Sequence, residues 1–213
     1  MCSMDNHAWA KARVNETGGS LGRDALDRLA ELTPGRVLEF GAGYSTAFLA
    51  KSYGCDYTAV EHNQKYAAEL RKHQSDAGYT LAEIELGVYS AAFISQLHES
   101  DTPRLLYDAC VPDRVPKPNI GISGLRLTWY DARILDLMIT QPDLVIHDGC
   151  NGDGRSIAYP LMRDAFKAPF HLFVDDLQAF DFEPRLREHF EVEEVWRIAK
   201  SKSCALFVAE AKW

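Results

Sequence analysis

Apolar positions along the chain follow two repeats, one typical of amphipathic helices and one typical of short buried strands. Between residues 21 and 32, leucine and alanine recur every three to four positions, which predicts a helix that ends before Pro34 and Gly35. Arg36 to Phe40 is a short apolar run that stops at Gly41, which predicts a strand entering a turn. The same reasoning predicts helices over 5–14, 45–53, 65–77, within 156–167 and over 184–189, and strands over 57–61, 80–86, 144–148 and 171–175.

Strands that alternate with helices imply a mostly parallel sheet with helices on both faces. Two β-rich runs, 192–199 and 204–210, end the chain, and the four polar residues between them predict an antiparallel hairpin. We therefore predict an α/β fold, a three-layer doubly wound sheet that is mostly parallel and carries a C-terminal antiparallel hairpin. Residues 1–213 fit one such domain, in which 1–33 form an N-terminal helical segment.

Composition and charge narrow the range of partners. The 213 residues are 46% hydrophobic and 25% charged, and the formal net charge is −8. An acidic chain with scattered Lys and Arg disfavours phosphate backbones and anionic lipid, so we expect neither nucleic acid nor a membrane as a partner. The five cysteines form no CxxC pair, and no stretch suggests a signal peptide or a membrane span. These features predict a soluble, cytoplasmic protein with reduced thiols.

The first candidate site is the turn after the 36–40 strand, which has the sequence EFGAGYST from Glu39 to Thr46. Glycines in such a turn let the backbone approach a ligand, and the next helix begins there. Dinucleotide-binding domains share this pattern, but here an acid precedes the first glycine and Thr46 stands at the expected third glycine. The second strand ends in Glu61, which can accept hydrogen bonds from ribose hydroxyls. These features favour a sulfonium cation over a pyrophosphate.

Together with the order of the elements, this turn and Glu61 resemble motifs I and II of the class I S-adenosylmethionine-dependent methyltransferases, over roughly residues 20–213. The resemblance implies S-adenosylmethionine as cofactor and a small-molecule acceptor, with methyl transfer to a hydroxyl oxygen. It implies the following cofactor-binding residues: Glu39, Gly41, Ala42, Gly43, Ser45, Thr46, Glu61, His62, Val88, Tyr89 and Asp148. Tyr89 lies where the family binds adenine, although packing explains an aromatic residue there equally well.

Two later strands also end in acids, Asp148 in one and Asp175 followed by Asp176 in the other. The carboxyl ends of parallel strands meet at one edge of a sheet, where three carboxylates repel one another unless protonated, separated or bridged by a cation. The pattern is similar to that of metal-dependent O-methyltransferases of the catechol and antibiotic-sugar types. That similarity implies Mg²⁺ bound by Asp148, Asp175 and Asp176. Alternatively, Asp148 is only a polar wall and Asp176 a turn or cap residue.

The sequence does not identify which residue acts as the general base. The catechol type has a lysine where this chain has Asn151, and the sugar type has an acid where this chain has Cys150. Besides Asp148, the catalytic candidates are Asp153 and His147, with His62 as a further candidate for the base. Asn151 and Arg155, in the glycine-rich loop after Asp148, are candidates for contacting the acceptor, while an exposed Arg155 on a mobile connection is the alternative.

Residues 99–143 form an unusually long, proline-rich connection. We predict that it contains a helix beginning at Thr128, with Asp131 completing a capping box, and that residues 119–130 fold over the acceptor as a lid. Trp129 and Tyr130 either stack on the acceptor or anchor this helix to the core.

Two other functions are also compatible with the sequence. One is an NAD(P)-dependent oxidoreductase on a related sheet, and the other is a non-catalytic, nucleoside-binding relative of the methyltransferases. Methyltransferases of this kind commonly form homo-oligomers, so a homo-oligomer is also expected.

Overall fold

The computed structural model describes residues 21–114, 127–149, 153–177, 182–199 and 203–212. Helices α1 to α8 span Arg23–Leu29, Tyr44–Tyr53, Gln64–Ala77, Ala91–Glu99, Pro103–Asp108, Ile134–Met138, Ala158–Ala165 and Phe182–His189. Strands β1 to β10 span Arg36–Phe40, Asp56–Glu61, Tyr79–Glu83, Leu86–Val88, Asp113–Arg114, Thr128–Tyr130, Leu144–His147, Phe170–Val174, Phe190–Ala199 and Ser203–Ala211. A 3₁₀-helix, Asp153–Ile157, precedes α7.

The main sheet has seven strands in the order β3-β2-β1-β7-β8-β10-β9. The first five of these are parallel, and β10 pairs antiparallel with both β8 and β9. This arrangement confirms the predicted doubly wound α/β fold and its C-terminal hairpin. The strand order reverses between β1 and β7, so the carboxyl ends of these two strands border the crevice in which open α/β sheets bind ligands.

Both faces of the sheet are covered, and this explains why its central strands are apolar without alternation. On one face, Leu38, Phe40 and Val145 belong to a core that includes residues of α7 and α8. On the other face, Val37 and Ile146 belong to a second core that includes residues of α1 and α2. Every residue of β7 is buried as a result. The two cores give the three layers that the sequence predicts.

Local sequence signals explain where two of the helices begin. The side chain of Asn63 accepts hydrogen bonds from the backbone amides of Lys65 and Tyr66, which caps the start of α3. Pro160 lies in the first turn of α7, as predicted, where its missing amide hydrogen costs nothing.

The predicted strand over 80–86 is wrong in extent, because the structure divides it in two. β3 ends at Glu83, still parallel to β2, and β4 begins at Leu86 in a separate three-stranded sheet of order β5-β4-β6. A single apolar run gives no sign that the chain leaves one sheet for another.

The predicted helix beginning at Thr128 is also wrong. Thr128–Tyr130 is a fully buried strand that pairs antiparallel with β4, and the helix of this region begins at Ile134. Asp131 does not cap it from a capping box, since its carboxylate accepts hydrogen bonds from the backbone and side chain of Arg133. A β-branched residue followed by two aromatic residues suits a strand better than a first helical turn.

The predicted lid is therefore wrong for its last three residues, because Thr128 to Tyr130 are buried in the core and do not cover an acceptor. Of its other residues, Leu127 accepts a hydrogen bond from the amide of Tyr89, and 119–126 lie outside the described part of the chain, as does the predicted helix over 5–14. That residues 1–213 form one domain stays a prediction. Among the residues described, no helix has both the length and the apolar character that crossing a bilayer requires.

Candidate functional site

The chain turns sharply where β1 ends, and two glycines make this turn possible. Gly41 has a φ of +86°, and a Cβ there would lie 2.3 Å from the Cα of Gly149. A Cβ on Gly149 would lie 2.3 Å from the backbone nitrogen of Gly41. The backbones after β1 and β7 thus touch at a point where only glycine fits on either side. The sequence marks Gly41 as special, but the role of Gly149 becomes visible only in three dimensions.

The amides of this turn bond within the protein. Gly41 and Ala42 donate to the carbonyl of Val60 at 3.0 and 2.9 Å, and Gly43 donates to Thr46 Oγ1 at 2.8 Å. A pyrophosphate needs free amide donors at such a turn, and these three are already used. Thr46, which replaces the third glycine of a dinucleotide turn, is the residue that satisfies Gly43.

Glu39 lies buried beneath the turn. Its Oε2 accepts hydrogen bonds from Thr46 Oγ1 at 2.6 Å and from the hydroxyl of Tyr57 at 3.0 Å. Its Oε1 is buried and has no partner among the described residues. Burial raises the pKa of Glu39 to about 7, against the lowering effect of the two hydrogen bonds. Tyr57 also belongs to this site, and no pattern in the sequence indicates it.

Glu61 ends β2 at the same edge of the sheet. Its Oε1 accepts hydrogen bonds from the backbone amides of His62 at 2.9 Å and Asn63 at 2.6 Å, which orient the carboxylate. Burial raises the pKa of Glu61 to about 7. The imidazole of His62 lies beside it, with Nδ1 3.2 Å from the same oxygen. Ser45, in the first turn of α2, is buried.

Asp148, Asp175 and Asp176 form the acid cluster, in which one carboxylate oxygen from each residue lies within 4.8 Å of the others. The structure brings these three predicted residues together. Asp176 has a φ of 55°, a strained conformation for a residue with a side chain. Burial, followed by repulsion from Asp175, raises the pKa of Asp148, and burial followed by repulsion from Asp176 raises the pKa of Asp175.

Arg155 lies beside the acid cluster, and its position differs from both sequence-based interpretations. It is only 2% exposed, and its guanidinium donates to the backbone carbonyls of Asp175 at 2.9 Å and Asp148 at 3.2 Å. The guanidinium also lies 5.2 Å from the ring centroid of Phe182. Arg155 is therefore neither an exposed loop residue nor free to reach an acceptor; it ties the ends of β7 and β8 together.

His147 is fully buried, and the geometry does not support its role as a catalytic base. Its ring packs against Phe40, Trp129 and Tyr159, with centroids 5.4 to 5.8 Å apart. Burial, and the nearby Arg155 cation, hold the pKa of His147 well below its ordinary value. Neither ring nitrogen has a hydrogen-bond partner among the described residues. His147 pairs with Phe40 in the sheet and packs against its ring, so it lies on the face of the sheet opposite to Glu39.

Trp129 and Tyr130 are both fully buried, which favours the anchoring interpretation over stacking on an acceptor. Trp129 packs on Phe40, with centroids 5.3 Å apart. The Tyr130 hydroxyl lies close to the Gly41–Gly149 contact, because a Cβ on Gly149 would be 2.6 Å from it. Tyr130 thus lines the candidate site next to the glycine turn.

The proposed adenine residues lie in the small sheet. Val88 pairs with Thr128 and Asp113, and Tyr89 is buried with its hydroxyl 2.7 Å from that of Tyr107. Packing accounts for Tyr89, and a contact between these residues and adenine stays a prediction. Asn151 lies outside the described residues, and of Asp153 only the backbone position, at the start of the 3₁₀-helix, is described.

No protein-family model matches the sequence, and no curated protein matches it significantly. Solved structures of methyltransferases do match the fold. An SAH-bound (S-adenosylhomocysteine-bound) methyltransferase from Podospora anserina has a TM-score of 0.57 at 15% identity, covering 96% of this chain and 86% of its own. A methyltransferase from Geobacter sulfurreducens has a TM-score of 0.53 at 12% identity, covering 98% and 92%. An O-methyltransferase from Bacillus cereus in complex with SAH has a TM-score of 0.51 at 12% identity, covering 99% and 93%.

The sheet order, the terminal antiparallel strands and these matches define the fold as that of the class I S-adenosylmethionine-dependent methyltransferases. At these identities the likeness concerns the fold alone, and activity has to be argued from the site.

Proposed function

We propose that this protein transfers the methyl group of S-adenosylmethionine to a hydroxyl oxygen of a small molecule, with assistance from Mg²⁺. The observation that carries the proposal is the concentration of buried carboxyl groups at one edge of the sheet. Glu39 and Glu61 flank the glycine turn, and the acid cluster lies at the ends of the neighbouring strands β7 and β8.

The charge of this edge suits a methyl donor and opposes a dinucleotide. A sulfonium cation and an α-amino group are attracted to carboxylates, whereas a pyrophosphate is repelled by them. The buried Oε1 of Glu39, which has no partner in the described structure, is an acceptor available to the donor's amino-acid half. Glu61, oriented by two amides, is an acceptor for ribose hydroxyls. The amides of Gly41, Ala42 and Gly43 bond within the protein and are not free to bind a pyrophosphate.

The acid cluster fits a divalent cation by charge and by ligand type. Among the described residues, one buried cation, Arg155, lies beside the three carboxylates, and it leaves two negative charges unbalanced when all three are ionised. Carboxylate oxygens are the ligands that Mg²⁺ prefers, and acceptor oxygens and water supply the remaining positions of its octahedron. A bound Mg²⁺ would lower the pKa of an acceptor hydroxyl and hold its oxygen in place.

Transfer then requires orientation more than covalent help from the protein. The acceptor oxygen forms a bond to the methyl carbon as the carbon–sulfur bond breaks, and the electron pair of that bond stays on sulfur. The hydroxyl proton leaves to a base, for which Asp153 and His62 remain the candidates because His147 is buried in the core. Arg155 holds the two strand ends in register, so the carboxylates keep their positions during the reaction.

Ligand binding distinguishes the candidate functions. Isothermal titration calorimetry should detect binding of S-adenosylhomocysteine but not of NAD, whereas the reverse result would favour an oxidoreductase. Glu61→Gln should weaken S-adenosylhomocysteine binding by roughly tenfold to a hundredfold, the cost of losing a hydrogen bond to a charged acceptor. Glu31→Gln, which changes an exposed carboxylate, is the matched control and should leave binding unchanged. No binding of either ligand contradicts the proposal.

A second experiment tests the metal without knowing the acceptor. Mn²⁺, titrated as a paramagnetic substitute for Mg²⁺ and followed by electron paramagnetic resonance, should bind the wild type with a component that excess Mg²⁺ displaces. Asp176→Asn should weaken this binding at least tenfold, whereas Asp101→Asn, at an exposed acid, should not. Mn²⁺ binding that ignores Asp176 would remove the metal from the proposal and leave the methyl donor standing. A protein that binds both ligands but methylates no hydroxyl compound would favour the non-catalytic alternative.

A further inference from the structure

Two buried histidines contact each other outside the acid cluster. His98 lies on α4 and His189 is the last residue of α8, and the distance from His98 Nδ1 to His189 Nε2 is 2.7 Å. Glu188 Oε2 lies 3.7 Å from the same nitrogen of His98. All three side chains offer a ligand atom within 4.8 Å of the others. Two imidazole nitrogens and a carboxylate oxygen are a set of ligands that Zn²⁺ uses in proteins, with water as the fourth.

The orientation of His98 also suits a metal ligand. Its Nε2 lies 3.3 Å from Ser156 Oγ, so a proton on Nε2 can be donated to that hydroxyl. Nδ1 then presents its lone pair toward His189 and Glu188. Histidines that bind metals commonly donate their second ring nitrogen to such a partner, which fixes the tautomer. The Glu188 side chain is 48% exposed, which gives an ion a path to the two buried rings.

Burial keeps both imidazoles neutral. Burial, together with nearby cations, lowers the pKa of His98 to about 4 and that of His189 to about 3. A neutral imidazole is the form that binds metal, so protons do not compete at neutral pH. The charged side chains that face the pair are Arg163, Arg185, Glu188 and Lys212.

Of these cations, Arg185 affects the candidate ligands directly. Its guanidinium forms an ion pair with Glu188 at 3.2 Å. This pairing competes for the carboxylate and adds positive charge near the place where a dication would bind. Metal affinity at this location should therefore increase when Arg185 loses its charge and decrease when Glu188 loses its charge.

We propose that His98, His189 and Glu188 bind a divalent transition-metal ion, Zn²⁺ or a chemically similar ion, at a site that joins α4 to the end of α8. The two nitrogens would separate from 2.7 Å to roughly 3.3 Å, the spacing of two ligands around tetrahedral zinc. This site is independent of the proposed function. His189 precedes β9, whose first residue lies toward the edge where β8 begins, whereas the acid cluster lies where β7 and β8 end.

Cobalt provides a readout that needs no activity. Co²⁺ titrated into the tag-free full-length chain, with Mg²⁺ in excess to occupy the acid cluster, should produce visible d–d absorption bands at one equivalent, and Zn²⁺ should displace them. Zn²⁺ should also raise the melting temperature. His98→Gln and Glu188→Gln should each weaken Co²⁺ binding at least tenfold, and Arg185→Gln should tighten it severalfold. Asp101→Asn, at an exposed acid outside both clusters, is the control and should leave Co²⁺ binding unchanged.

Three results would overturn this site. They are the absence of d–d bands, bands that persist unchanged in Glu188→Gln and His98→Gln, and bands dominated by sulfur-to-cobalt charge transfer, which would assign the ion to cysteine. If His98→Gln fails to fold, Glu188→Gln and Arg185→Gln decide the question, because both change partly exposed side chains.

Discussion

Glu39 has a structural role in the glycine turn and, in the proposed function, a role in binding the methyl donor. Its carboxyl group supports the glycine turn through Thr46 and Tyr57, and its second oxygen remains buried without a partner in the described structure. The group is a weak acid because it is buried, with a pKa of about 7. A cationic ligand would stabilise its ionised form, so binding and ionisation are coupled at this residue.

The stability of the ligand-free protein should therefore depend on pH through Glu39. The folded state retains a proton that the unfolded chain releases at about 4.5, so this contribution is fully present at low pH and is lost as the pH rises through about 7. Glu39→Gln cannot ionise, so its stability relative to wild type should increase between pH 5 and pH 8 by on the order of 3 kcal/mol. Urea unfolding at both pH values measures this change. A difference that does not vary with pH contradicts it, and Glu31→Gln is the control.

Gly149 gives a second prediction for a single residue. Gly149→Ala places a methyl group against the backbone of Gly41, which cannot move without disturbing the turn. We expect a loss of about 1–3 kcal/mol in the free energy of unfolding, together with weaker S-adenosylhomocysteine binding. Gly22→Ala is the matched control, because a Cβ there meets nothing within 4 Å. Denaturant unfolding and calorimetry of both variants test this, and equal effects in the two would refute it.

Among the secondary-structure elements, the 3₁₀-helix Asp153–Ile157 links both regions discussed above. Arg155 bonds to the ends of β7 and β8, and the next residue, Ser156, contacts His98. Because Arg155 is the buried cation beside three acids, the arrangement of the strand ends depends on it. The element therefore has a structural role that its short length does not suggest.

Arg155→Met should be strongly destabilising, because it leaves buried carboxyl groups without their cation. We expect a loss of about 3–5 kcal/mol in the free energy of unfolding. Arg133→Met removes an exposed arginine paired with Asp131 and should cost at most about 1 kcal/mol. Thermal and urea unfolding compare the two variants. Similar losses in both would show that Arg155 does not balance the acid cluster.

For the whole molecule, the sheet gathers acids from four strand ends at one edge, and this costs stability in the absence of ligands. Glu39, Glu61, Asp148 and Asp175 all have raised pKa values, so each opposes ionisation of the folded state. The proposed function therefore requires an arrangement of acids that lowers the stability of the ligand-free protein.

Asp175→Asn should make that conflict measurable. Removing one charge from the acid cluster should stabilise the metal-free protein by about 1 kcal/mol at pH 8 in chelator, because repulsion is relieved. The same variant should lose Mn²⁺ binding. Unfolding in EDTA, with Asp101→Asn as the control, tests the first part. A destabilised variant would indicate that Asp175 is held by favourable contacts and that the raised pKa has another origin.

Local chemistry allowed part of the site to be predicted from the sequence. Acids at positions 39, 61, 148 and 175 each end or nearly end an apolar strand, and parallel strands bring such ends to one edge whatever the details of packing. The terminal hairpin was also predictable, because its two β-rich runs are separated by a short polar gap. By contrast, the sequence wrongly predicts a helix start at the buried strand Thr128–Tyr130, because the capping-box pattern is local whereas the pairing of this strand with β4 is not.

The sequence by itself determined the doubly wound sheet, its closing hairpin and the identity of the acids at its edge, since strand periodicity and strand ends are local properties. Only the tertiary structure decided which side chains meet. It buried Arg155 between two strand ends, turned His147 into the core and set Gly149 against Gly41. It also joined His98 to His189 across 91 positions of sequence. These contacts depend on how the helices pack across the sheet, and the spacing of residues along the sequence does not predict that packing.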